Sequence, residues 1–118
     1  MSGGEQPGRR AASSSMQKRD YFERMIEQVA AAAAKVMGLA AERRVEDAGV
    51  ELDEAWRAGP GLGRNDAARL DDATLSILLG PKTILAAALF EAEAAIADAR
   101  GEATRARDLR ARAAASRG

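Results

Sequence analysis

The sequence predicts an all-α protein: a single helical domain of two hairpins, about five helices in all. Three observations lead there. Alanine fills about a quarter of the 118 positions, and it is the best helix former because it has no side-chain entropy to lose. One Trp, one Tyr and two Phe, with few β-branched residues, leave little material for strands. Apolar side chains recur at three- and four-residue steps, the spacing of one helical face.

Residues 1–15 (MSGGEQPGRRAASSS) lack that spacing. They are small and polar, with Gly, Pro and Ser throughout, and are expected to form a disordered tail ahead of a domain spanning 16–116. From Asp20 the pattern changes. Phe22, Met25, Ile26, Val29, Ala33, Val36 and Met37 share a face, with Asp20 as expected N-cap and Gly38 as expected stop. A second helix is expected from Ala40 or Ala41, carrying Val45, Ala48, Leu52, Ala55 and Trp56 inward. Arg43 with Asp47 and Asp53 with Arg57 form i,i+4 pairs on its outer side. Gly59-Pro60-Gly61 ends it, and 59–66 reads as a loop.

A short third helix, from Asp71 or Asp72 to Leu79, contributes Leu75, Leu78 and Leu79, and Pro81 suits the first turn of the next. That fourth helix, about 82–100, has two apolar stripes. Leu85, Ala88, Leu89, Ala92, Ile96 and Ala99 make one; Ala86, Phe90, Ala94 and Ala97 make the other. A helix apolar on both sides is buried on both sides, so this one should be the spine of the fold. Gly101 breaks the chain. A fifth helix to about Ala115 turns Ala103, Ala106, Leu109 and Ala113 inward and most of its arginines outward.

In the last two helices, Ala94, Gly101, Ala106 and Ala113 fall at the spacings of small residues in a tetratricopeptide (TPR) hairpin, with Phe90 at an earlier aromatic position. This part resembles one TPR hairpin. The segments DYFERMIEQ (20–28), KVMGL (35–39), DDATLSILL (71–79) and ARGE (99–102) are similar to those of a family of short, uncharacterised bacterial proteins described as TPR-like. That resemblance implies a helical fold and a cytoplasmic setting, and supplies no activity.

Composition excludes much chemistry. With no Cys and no His there is no thiol nucleophile, imidazole base, disulfide or His/Cys zinc site. No phosphate-binding or nucleophile-elbow string occurs. Glu23 with Glu27 and Glu51 with Glu54 share helix faces, but a di-iron bundle site needs Glu-x-x-His; they read as solvated faces. No enzyme, cofactor, metal site or small-molecule substrate is expected. Eighteen basic residues balance eighteen acidic ones, which argues against nucleic acid held by bulk charge. No apolar run is expected to reach the roughly 20 residues that cross a bilayer, and no secretory h-region appears, so a cytoplasmic protein is expected.

The thin set of bulky apolar residues points to a helical protein–protein interaction module, self-associating or docking a partner. The alternative is a nucleic-acid or acidic-partner binder using the arginine cluster. The candidate partner-binding residues are Trp56, as an aromatic anchor, and Arg105, Arg107, Arg110 and Arg112.

Overall fold

The computed structural model describes the backbone from Glu5 and the side chains from Lys18 to Gly118. Helices are α1 (Glu5–Ala41), α2 (Val45–Ala58), α3 (Arg64–Arg69), α4 (Asp72–Leu79), α5 (Thr83–Ala99) and α6 (Ala103–Arg117), with a 3-10 turn at Gly80–Lys82. No strand occurs among the described residues. The all-α prediction holds, with five helices of eight residues or more and one six-residue helical segment. The expectation for residues 1–15 concerns a segment whose side chains, and whose first four residues entirely, lie outside the described residues.

α5 is the spine. Leu85, Leu89, Ala92 and Ile96 are buried along one stripe; Ala86, Phe90, Ala94 and Ala97 along the other. α1 packs on the first side and α6 on the second, while α2 lies over the edge between them, where Trp56 meets Phe90. Ile26 and Val29 share a groove with Ile84 and Leu85, while Arg43 Nη1 donates to the Ala99 carbonyl at 2.9 Å. These two levels show that α1 and α5 run in the same direction, and the 37-residue α1 continues past the start of the 17-residue α5. The core gathers Val29, Val36, Leu52, Trp56, Leu75, Leu85, Leu89 and Phe90.

Several boundaries differ from expectation, for local reasons. Asp20 lies within α1 and caps nothing, because the helix has already begun at Glu5. Gly38 sits inside α1, which runs on to Ala41 and is closed at Arg43 instead: the φ of Arg43 is 64°, its N–H reaches the Ala40 carbonyl, and the Arg44 N–H reaches Leu39. This is the Schellman closure with arginine at the left-handed position that glycine usually takes. α2 therefore starts at Val45, not Ala40 or Ala41. With Arg43 engaged at the end of α5, Arg44 pairs with Asp47 at 2.8 Å, and Asp53 pairs with Arg64 at 3.1 Å rather than with Arg57.

The expected loop 59–66 contains the start of α3, anchored by fully buried Ala67. Gly59 lies close to its neighbours: a Cβ there would meet Val29 Cγ2 at 2.6 Å and the Ala55 carbonyl at 3.1 Å. The N-cap of α4 is Asp71, whose carboxylate accepts the Thr74 N–H at 2.7 Å. That bond holds the Asp71 carboxyl below the usual carboxylate range. Leu75 and Leu79, four apart, face inward, while Leu78 is exposed. Ala103 is likewise exposed, one turn short of the contact made by Ala106.

Contrary to the expectation that no stretch reaches membrane-spanning length, Asp72–Ala99 is long and apolar enough by length and composition to do so. Here that stretch bends at Gly80–Lys82 and turns Leu75, Leu79, Leu85 and Leu89 into the bundle.

Candidate functional site

α6 buries only Ala106, Leu109 and Ala113. Its arginines fall at intervals that bring most of them back over α5 and α4. Arg105 reaches Glu93 at 2.8 Å, Arg110 pairs with Asp98, and Arg117 meets Glu91 at 3.1 Å. The hydrogen bond from Arg110 to Asp98 also holds that guanidinium above its ordinary pKa. Glu93 is the one buried charged side chain among the described residues, 7% exposed, which makes its partner Arg105 a structural counter-ion.

Arg112 is the most engaged of the group. Its Nε donates to Asp72 Oδ1 at 2.8 Å, and its Nη atoms donate to the Ala67 and Leu70 carbonyls. Its guanidinium lies 4.7 Å from the Phe90 ring centroid, within cation–π range. Arg112 thus ties α6 to the end of α3 and the start of α4. Separations of 40 to 45 residues hide the polar pairings from a local pattern.

The structure therefore places Arg105 and Arg112 along one edge of the buried face of α6 and Arg110 along the other, and commits them to internal carboxylates and carbonyls. Arg107 has no partner among the described residues. An open groove of about 760 Å³ lies between α3 and the first half of α6. Arg64, Arg105 and Arg112 face Glu93, Glu102 and Asp108 along it, so its formal charge balances and it selects neither sign.

Trp56 is in the core with no exposed surface. Its ring meets Phe90 edge-on, with centroids 5.2 Å apart and planes at 66°, a favoured aromatic geometry. Its Nε1–H has no hydrogen-bond partner. A ring placed there fills the junction of α2 and α5 and offers nothing to an outside partner; it does not lie with the arginines on a shared surface.

The exposed apolar surface lies elsewhere. Ile77 is 85% exposed, Leu78 58% and Ile84 49%, on either side of the Gly80–Lys82 turn. Ile84 also lines an apolar groove of about 320 Å³ with Ile26, Val29, Ala30, Ala87 and Ala88. Sequence reasoning missed this corner, although the run Ile77-Leu78-Leu79 carries a signal. Consecutive apolar residues cannot all share the face that Leu75 and Leu79 turn inward.

Among the described residues no group of three or more acidic side chains could hold a metal ion; Glu51 is paired with Lys35 at 3.1 Å. No family model, no curated protein and no solved structure matches this chain.

Proposed function

We propose that the chain is a helical protein–protein interaction module, working by surface contact rather than catalysis, in a cytoplasmic setting, with α5–α6 as a TPR-like hairpin. The observation that carries this reading is the apolar corner of Ile77, Leu78 and Ile84. Three large aliphatic side chains grouped at one turn are a costly feature for a chain with few bulky residues to spend. The neighbouring groove along α1 and α5 extends that surface, and exposed Tyr21 stands on α1. The arginine-based alternative is left with Arg107, because Arg105, Arg110, Arg112 and Arg117 already neutralise carboxylates within the fold.

The test is a comparison of two variants in affinity capture from the native host. Ile77→Glu with Leu78→Glu should abolish retention of the proteins that the parent chain holds. Val50→Glu, at an exposed position on α2, should retain them. Equal retention by both variants, with helicity intact by circular dichroism, refutes the corner as the interaction surface.

A further inference from the structure

The two sides of α5 are covered differently, and the side under α6 has a property of its own. Phe90, Ala94 and Ala97 form a buried floor at helical spacing. Glu93 rims it on one side, Glu91 and Asp98 on the other. Asp72 adds a fourth carboxylate from α4. The occupant matches that pattern: α6 brings Ala106, Leu109 and Ala113 to the floor and Arg105, Arg110, Arg112 and Arg117 to the acidic rim.

The link between the two helices is short. α5 ends at Ala99 and α6 starts at Ala103. Gly101 turns the chain at φ 77°, with the Gly101 N–H on Asp98 and the Glu102 N–H on Ala97. That left-handed conformation, with the non-helical Glu102 at ψ 73°, folds α6 back on its own α5. If residues 100–102 became helical, α5 and α6 would run on as one rod. Each α6 would then lie away from its own acidic floor.

We propose that α6 is an exchangeable helix, and that the acidic floor of α5 accepts the α6 of a second copy of this chain. The exchanged pair reproduces every ion pair and every buried contact of the closed form, so only the hinge and the cost of association separate the two states. The partner class is set by complementarity between an arginine-rimmed, small-faced helix and a carboxylate-rimmed floor. This surface is separate from the Ile77–Leu78–Ile84 corner, and neither proposal stands on the other.

Charge reversal in complementary chains tests it. One chain carries Arg110→Asp and Arg117→Asp; the other carries Asp98→Arg and Glu91→Arg; both also carry Gly101→Ala. Closed, each chain sets like charges face to face. Exchanged between the two, the pairs are restored, in native polarity on one floor and in reversed polarity on the other.

A Cβ at Gly101 meets nothing within 4 Å, so Gly101→Ala acts through the backbone alone. It penalises the left-handed turn and favours a continuous helix, an effect on the order of tenfold towards the open form. Light scattering should give single-chain mass for each charge variant alone and the mass of two chains for the equimolar mixture. The mixture should associate at least tenfold more tightly than either component.

A mixture that stays at single-chain mass, with parental helicity by circular dichroism, overturns the proposal. So does a variant that pairs with itself as readily as with its complement. If a charge-reversed chain loses helicity, Gly101→Ala in the otherwise native chain decides: it should raise the two-chain fraction about tenfold, and an unchanged fraction overturns the proposal. Adding Ile77→Glu and Leu78→Glu to the mixture should leave its association unchanged; loss of association there assigns pairing to the corner and overturns exchange.

Discussion

The two flanks of α5 are held by different forces. Towards α1 and α2 the core is bulky: Val29, Val36 and Leu52 share it with Leu85, Leu89 and Ile96, and Trp56 meets Phe90 edge-on. Towards α6 they are small residues and Leu109, with charged pairs around the edge. Burial of a bulky side chain is non-directional and is not weakened by salt screening, at roughly 1.5–3 kcal/mol each. Ion pairs at the surface contribute about 0–1 kcal/mol and weaken as salt rises. The same helix is thus the centre of a hydrophobic core on one side and of an electrostatic latch on the other. Local stability should follow that division.

The largest break in this comparison is Trp56→Ala, which empties the α2–α5 junction and should cost about 3–5 kcal/mol in urea unfolding. Against a total stability of about 5–15 kcal/mol for a domain of this kind, that is a severe loss. Leu52→Ala on the bulky flank should cost about 3–4 kcal/mol and Leu109→Ala on the α6 flank about 2 kcal/mol. Reversal of that order contradicts the division.

Gly59→Ala should cost about 1–3 kcal/mol, because the stiff Val29 side chain and the Ala55 carbonyl leave no room for a methyl group. Arg105→Gln, which leaves buried Glu93 without its counter-ion, should cost about 1–2 kcal/mol, between the surface and buried ranges.

The smallest effect belongs to Asp71. Its carboxyl is depressed in the folded state by the Thr74 N–H, so its contribution is present above the unfolded pKa and is lost as pH falls through the folded one. Asp71→Ala should therefore lower the melting temperature slightly at neutral pH and change nothing once the parent carboxyl is protonated.

The spine was legible because two stripes offset around one helix leave a clear trace in sequence. The start of α4 was legible because Asp71 and Asp72 precede an apolar run, although the capping role of Asp71 was not read from it. The rest was hidden for identifiable reasons. Gly38 signals a stop only if the backbone needs a left-handed residue there, and the turn took Arg43 instead. α3 is obscured by Gly59-Pro60-Gly61 and has a single buried anchor, Ala67. The arginines of α6 were visible as a cluster, but their partners Asp72, Glu91, Glu93 and Asp98 are set by tertiary packing, so composition presented as free charge what the fold neutralises. The apolar corner was counted as core through Leu78, because a run of leucines does not reveal which members face out.

Hydrogen exchange by mass spectrometry, at low salt and at 1 M NaCl, tests the division of α5 most directly. The Debye length falls to about 3 Å at the higher concentration. Amides of α6 should then exchange several-fold faster, while those of Val29–Ala40, α2 and α5 keep their low-salt rates. Equal acceleration of all helices, or an α6 insensitive to salt, contradicts the account.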